Sequence, residues 1–491
     1  MSPPPPPASP SSLRTRSRSP SSELAVVDDQ GRAFDHAALH RRAAAWAAAL
    51  ARRHGVRAGD RVGVLADGCT EVFVLRAACE HLGAALTPLS WRLSTAELAA
   101  VTADAAPRVL LHDRAHADVA AALDAPRAVL DAPPPRVAPV AAAPALPDDV
   151  VQVLYTSGST GRPRGARLTR RQLAFNAAIT ARLCGLGAAD RVLALLPLFH
   201  TGGLNCLATP VLAAGGAVMV MARFDPAEAV ARIERHGVTA IVAVPTIYDA
   251  LLDAGLDRRR APALRVRLVG GAPVTPRLLE RARAAGLPLR QGFGMTEVGP
   301  NCFTFGPVGP SDGDASSCVG APVPGTEARL VDDGGADVAP GATGELWLRG
   351  PHVFAGYLGR ASSGRPDGWF ATGDLFRRDA AGGYHVVGRK KDMFISGGEN
   401  VYPGEVEAAL AGHPAIAEVC VIGRPDPRWG EVGVAVVATR GPVDAAALDA
   451  WLRRRLAAYK VPRAWRFVTA LPRTATGKIA RAELIAAARA A

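Results

Sequence analysis

The chain has 491 residues, 49% of them hydrophobic and 21% charged, and carries a formal net charge of +12. That length predicts roughly three domains of ordinary size with ample core, and there is no run of about eighteen apolar residues to span a membrane. A nucleic-acid binder would gather its positive charge in one stripe with interleaved aromatics; here the arginines are spread along the chain and aromatics are 5%, so no nucleic-acid partner is expected.

The first 23 residues, rich in Pro, Ser and Arg, read as a disordered tail, and no apolar segment follows to make them a secretory signal. From Arg32 the pattern alternates. An alanine-rich amphipathic helix, Ala37 to Gly55, leads to an apolar strand at Arg61 to Ala66, a helix from Thr70 to Leu82 and a strand at Ala85 to Ser90. Helix Thr95 to Ala103 and strand Val109 to Leu111 repeat the unit. Asp131 to Leu146, dense in Pro and Ala, reads as a connecting loop. Strands resume at Val150 to Leu154, Val192 to Leu196, Ala217 to Met221, Ala240 to Val244 and Val266 to Val269, with helical stretches between them such as Asp225 to His236. Short apolar runs alternating with helices predict an α/β, doubly wound body whose ligands sit at the C-terminal ends of strands. Beyond it, strands Ala417 to Ile422 and Val432 to Ala438 with helix Asp444 to Leu456 read as a small α+β unit. Seven cysteines (Cys69, Cys79, Cys184, Cys206, Cys302, Cys318 and Cys420) are scattered with no Cys-x-x-Cys pair. Neither a disulfide framework nor a zinc site is expected, and a reducing cytoplasm fits.

The most informative stretch is LYTSGSTGRPRG, Leu154 to Gly165. Thr156, Ser157, Gly158, Ser159, Thr160 and Gly161 offer hydroxyls and backbone N–H groups, and Arg162 and Arg164 offer charge, a composition suited to polyphosphate. The Walker spacing is absent, and Ser157 lacks the flanks of a hydrolase nucleophile. A flexible surface loop is the plain alternative. Elsewhere, His200 in LPLFHTGGLN follows a strand, where a lone histidine is more often structural. The Met-Thr-Glu of QGFGMTE (Gln291 to Glu297) and the Thr-Gly-Asp ending at Asp374 each pass for ordinary turns, and Lys478 in its Gly-Lys turn for a solvated lysine. A carboxylate such as Asp374 is also able to accept from both ribose hydroxyls.

Together and in this order, these motifs resemble those of the adenylate-forming superfamily, which holds acyl-CoA synthetases, luciferases and peptide-synthetase adenylation domains. The strings PLSWRLSTAEL, PLFHTGG, QGFGMTE and KKDMFISGGENVYPGEVE are of the fatty-acyl-, feruloyl- and coumaroyl-CoA ligase kind. The resemblance implies a large AMP-binding domain over 24–390 and a small mobile domain over 391–491 that bears a catalytic lysine. It implies that Leu154 to Gly165 binds the phosphates of ATP, with serine at 159 and arginine at 164 where the family usually has threonine and lysine. It further implies that Gly271, Ala272 and Pro273 approach adenine, that Phe293, beside Gly294, stacks on it in place of the usual tyrosine, and that Thr296 holds the α-phosphate. Glu297 would bind Mg²⁺, Asp374 and Arg389 the ribose, and Lys391 would be the hinge. Gly397 and Gly398 would line the pantetheine tunnel, His200 would lie between acid and tunnel, and Gly202 and Cys206 would wall the acyl pocket. Lys478 would bridge the acid's carboxylate and the α-phosphate. The expected activity is ATP-dependent, AMP-forming ligation of a fatty or aryl/cinnamic-type acid to coenzyme A. The alternatives are an adenylating enzyme that loads a carrier-protein thiol and a non-catalytic nucleotide binder. Oligomeric state stays open, a homodimer among the options.

Overall fold

The computed structural model describes residues 24–130, 137–156, 163–272, 274–306, 317–360, 367–396, 399–474 and 478–489. Two largely parallel sheets form the first part. The seven-stranded sheet runs in the order Arg290–Gln291, Val266–Val269, Ala240–Ala243, Arg191–Ala194, Ala217–Val220, Leu24–Val27 and Ala33–Asp35. The six-stranded sheet runs Arg127–Val129, Val109–His112, Arg61–Leu65, Ala85–Pro88, Val150–Thr156 and Arg164–Thr169. Strands such as Ala85–Pro88, Val109–His112 and Ala217–Val220 are buried at every position, which is why they read as continuous apolar runs rather than alternating ones.

The helices start where the sequence supplies caps. Asp35 accepts from the Ala38 N–H ahead of His36–His54. Ser94 and Glu97 form a reciprocal capping box ahead of Thr95–Ala105. Helix Pro226–Arg235 has Asp225 as cap and proline in its first turn. One apolar cluster joins the two sheets: Val62, Val64 and Leu86 of one meet Val192, Val218 and Val220 of the other, through Trp46, Phe73 and Leu75 of helices His36–His54 and Glu71–Leu82. Burial at roughly 25 cal/mol per Å² makes this shared core a main source of the body's cohesion.

A third sheet departs from the doubly wound expectation. Cys318–Gly320, Tyr384–Arg389, Phe370–Arg378, Thr343–Arg349 and Glu327–Val331 form five antiparallel strands. Its inner face packs Leu346, Leu348 and Phe376 against Leu154, Ala166 and Leu168. The Thr-Gly-Asp sequence is therefore not a turn: Asp374 lies within strand Phe370–Arg378. A separate C-terminal sheet follows, made of Glu399–Val401, Phe394–Ser396, Gly430–Thr439 and Ile416–Asp426, with Ala464–Val468 paired parallel to Gly430–Thr439. The last helix, Arg481–Arg489, lays Leu484 and Ala488 against Cys420 and Ile422. Among the described residues no helix is long and apolar enough to cross a membrane, and all seven cysteines are free and buried.

Candidate active site

The phosphate-loop candidate joins two antiparallel strands, Val150–Thr156 and Arg164–Thr169, in a register that sets Thr156 opposite Arg164. Ser157, Gly158, Ser159, Thr160, Gly161 and Arg162 lie outside the described residues. A Cβ on Gly165 would come within 3.0 Å of Val153 Cγ1 and 3.1 Å of Tyr155 Cζ, so glycine lets the two arms close at the base of the loop. A further segment adds alongside. Leu358 N–H donates to the Gly165 carbonyl at 2.7 Å, Arg167 N–H to Gly356 at 2.9 Å and Ala355 N–H to Arg167 at 3.0 Å. This pairing brings the Tyr357 ring under Arg164, whose guanidinium carbon stands 5.4 Å from the ring centroid.

Thr296 and Glu297 are presented by a tight turn after strand Arg290–Gln291. Met295 N–H donates to the Gly299 carbonyl at 3.1 Å, and Gly294 passes so close to Pro300 that a Cβ there would sit 2.3 Å from the proline's carbonyl carbon. A single 3₁₀ turn, Thr296–Val298, then points both side chains from buried backbone. Gln172 Nε2 donates to the Thr296 carbonyl at 3.2 Å and Phe354 N–H to the Glu297 carbonyl at 2.8 Å. The Glu297 carboxylate accepts from Tyr357 Oη at 2.8 Å on Oε1 and makes no ion pair among the described residues. Phe293 is half-buried, edge-on to Phe303 and Phe376 at 5.8 and 4.9 Å between centroids.

Asp374 and Arg389 face each other on neighbouring strands, with Nε to Oδ1 at 2.7 Å. Asp374 Oδ2 is buried without a hydrogen-bond partner among the described residues. Burial pushes this carboxyl up to about 6, against the pull of Arg389 and Lys478. A buried oxygen left without a donor is costly, and a ribose hydroxyl would supply one.

His200 caps the short helix Thr201–Leu204, its Nδ1 accepting from Gly202 N–H at 3.1 Å. Burial, then the charge of Lys478, lowers its pKa to about 4. The ring is therefore neutral at pH 7, and with Nδ1 used as acceptor its proton resides on Nε2. Gly202 is half-buried. Cys206 is buried and donates from Sγ to Asn301 Oδ1 at 3.2 Å, while Asn301 Nδ2 donates to Thr180 Oγ1 and the Cys206 carbonyl.

Lys478 reaches this place from the C-terminal sheet's side. Arg473 and Ile479 pair as an isolated bridge, and the Lys478 carbonyl accepts from Thr474 N–H at 2.7 Å. The residue is solvent-accessible, with protein crowded around its ammonium. Lost hydration, then Arg389, lowers the pKa of its ammonium, and Asp374 and Glu297 oppose that shift. Gly271, at φ +78°, lies alongside its stem: a Cβ there would stand 4.0 Å from Lys478 Cε, in ordinary contact. Ala272 is half-buried, and Pro273, Gly397 and Gly398 lie outside the described residues. The structure thus gathers Lys478, Asp374, Arg389, Glu297, His200 and Gly271 in one region, and ties Arg164 to Glu297 through Tyr357.

Lys391 sits in the 3₁₀ turn Lys390–Asp392. Its neighbours are tied in opposite directions: Lys390 Nζ to Asp333 and Glu345 at 2.9 and 3.0 Å, Asp392 to Arg481 Nε at 3.4 Å. Lys391 between them is exposed. These clamps, like Tyr357, escaped the reading of the sequence; each depends on residues far apart in the chain, and neither carries a local motif.

A hard carboxylate that makes no ion pair among the described residues suits Mg²⁺. Among the described residues no group of three or more His, Cys, Asp or Glu could hold a metal alone, so most ligands of such an ion would come from phosphate and water.

Residues 13–358 match the AMP-binding enzyme family and residues 405–478 its C-terminal domain. The chain belongs to the AMP-binding enzymes. Its relatives are acyl-CoA ligases: it is 41% identical to a feruloyl-CoA synthase of an Amycolatopsis species over 94% of this chain and 95% of the relative. It is 39% identical to the indoleacetate–CoA ligase of Aromatoleum aromaticum, over 88% and 89%. The o-succinylbenzoate coenzyme A synthetase of Bacillus subtilis, solved in complex with ATP and magnesium ion, superposes with a TM-score of 0.83 at 31% identity over 94% of this chain and 96% of that one.

Proposed function

We propose that this AMP-binding enzyme is a carboxylic acid:CoA ligase that forms AMP and takes an aromatic acid as substrate. The single observation that carries the reading is the convergence on one cleft of a lysine from the C-terminal part, Lys478, with Asp374 and Glu297 of the body. The charge of Lys478 stands beside the carboxylates of Asp374 and Glu297, where an acid's carboxylate and the α-phosphate would meet. The aromatic character of the acid is supported by the relatives, which are named for ferulic, indoleacetic and o-succinylbenzoic acids.

In the first half-reaction the acid's carboxylate attacks the α-phosphorus of ATP, and pyrophosphate leaves. Asp374 and Arg389 hold the ribose, Phe293 and the Gly271 to Pro273 segment bracket adenine, and Thr296 donates to the α-phosphate. Lys478 neutralises charge that spreads onto the phosphorus oxygens. Arg164, with Thr156 and Ser157 to Gly161, anchors the departing phosphates. Glu297 would hold Mg²⁺, which when bound offsets phosphate charge. His200, neutral with its proton on Nε2, stands beside the acid and donates without adding charge. No side chain serves as covalent nucleophile. In the second half-reaction the CoA thiol attacks the acyl-adenylate. Lys478 then withdraws as the part beyond Lys391 turns, and the Gly397 and Gly398 face takes its place for pantetheine. The opposed clamps at Lys390 and Asp392 support Lys391 as the changeover between the 24–390 and 391–491 units. Gly202 and Cys206 wall the acyl pocket.

The test is a mass-spectrometric screen of the purified protein with Mg-ATP, CoA and a panel of cinnamic, arylacetic, benzoic and aliphatic acids, following AMP and thioester together. Equimolar AMP and aryl-CoA is the expected result. AMP or acyl-adenylate without thioester would overturn CoA as acceptor, and turnover confined to aliphatic acids would overturn the aromatic assignment.

A further inference from the structure

We infer that Tyr357 is a positioning residue for adenylation, orienting the Glu297 carboxylate toward the metal–triphosphate and tying it to the phosphate loop. The inference rests on the reading of Glu297 as the metal-binding carboxylate.

Glu297 is buried and makes no ion pair among the described residues, and its carboxylate takes one hydrogen bond from them, from Tyr357 Oη to Oε1 at 2.8 Å. The donor is an uncharged phenol. An arginine or lysine in that place would cancel the charge that a divalent cation needs, whereas a phenol fixes the rotation of the group and leaves Oε2 facing elsewhere. The tyrosine is itself held from two sides. Arg164 lies over its ring at 5.4 Å and Phe354 meets it edge-on at 5.0 Å. Its backbone neighbours close the frame, since Leu358 N–H bonds Gly165 at the base of the loop and Phe354 N–H bonds the Glu297 carbonyl. One five-residue segment therefore grips both the main chain and the side chain of Glu297 and the strand that leaves the phosphate loop. Displacement of either site is carried to the other through Tyr357.

Tyr357→Phe removes only the hydroxyl and keeps the ring against Arg164 and Phe354. The experiment is a Mn²⁺ titration, followed by electron paramagnetic resonance of the free ion, of the full chain saturated with α,β-methylene-ATP. The expected result is about tenfold weaker Mn²⁺ binding in Tyr357→Phe, the effect of one lost hydrogen bond to a charged group. Affinity for the nucleotide analogue without metal, and thioester formation from supplied acyl-adenylate and CoA, should stay within about twofold, which also shows that the variant folds. Unchanged Mn²⁺ binding in Tyr357→Phe, with Glu297→Gln weakened in the same titration, would overturn the role of Tyr357 alone. Unchanged binding in both variants would overturn the reading of Glu297 on which it stands.

Discussion

Asp374 carries a cost to stability in the nucleotide-free protein. Its carboxyl, at about 6 in the folded protein, lies above the ordinary carboxylate value. Between those two values the native state holds a proton that the unfolded chain has released, so stability falls as pH rises through the window and the deficit persists at neutral pH. Asp374→Asn keeps the shape and an oxygen for Arg389 and removes the deficit. Its Tm is expected to exceed wild type by about 2 °C or more near pH 7.5, with the gap closing as the pH is lowered toward about 4, in denaturation scans without nucleotide. ATP affinity of the same variant should drop. Arg164 poses a different question, because the family usually has lysine there. Its guanidinium rests on the Tyr357 ring, a contact a lysine makes less well, so Arg164→Lys should lose up to about tenfold in kcat/KM for ATP; a loss of a hundredfold would mean the planar fork binds phosphate directly. Residues of this kind were legible in the sequence by chemical type and motif. Their state of ionisation was not, since Asp374 is perturbed first by burial, which no local pattern records.

The turn that presents Thr296 and Glu297 is an element whose geometry depends on one missing side chain. A Cβ on Gly294 would meet backbone atoms of Gly299 and Pro300 at 2.5 Å and below, and backbone has nowhere to go. Gly294→Ala is therefore expected to suppress pyrophosphate release by about a hundredfold or more and to lower Tm by several degrees, read by a pyrophosphate assay and calorimetry on the same sample; retained activity would show that the turn can re-form. At this scale the sequence was a good guide where periodicity was strong. Val266–Val269 was placed to the residue, and the other strands and helices named from the sequence in the two largely parallel sheets to within a few. The five-stranded antiparallel sheet was missed. Its strands Glu327–Val331 and Thr343–Arg349 mix buried and half-exposed positions between glycine-rich turns, a weaker signal than a fully buried parallel strand.

For the molecule as a whole, the decisive feature is that Lys478, in the C-terminal part, stands beside Asp374, Arg389 and Glu297 of the body. If it serves adenylation alone, Lys478→Ala should depress acyl-adenylate formation by about a hundredfold or more and leave thioester formation from supplied acyl-adenylate nearly intact. Equal losses in the two half-reactions, measured separately by quenched-flow, would remove the case for alternation. The ties of Lys390 to the antiparallel sheet and of Asp392 to Arg481 bracket the exposed Lys391 between them.

The family, the order of its motifs, the α/β character and the residue types suited to polyphosphate are legible in the sequence, because they are written in short contiguous stretches. Which of them lie together is set by packing. The pairing of Asp374 with Arg389 across two strands, the neutral state of His200, the arrival of Lys478 beside Gly271 and the link from Arg164 through Tyr357 to Glu297 all depend on distance and burial between segments remote in sequence. Periodicity and motif spacing report what a residue is able to do, and packing determines what lies opposite it.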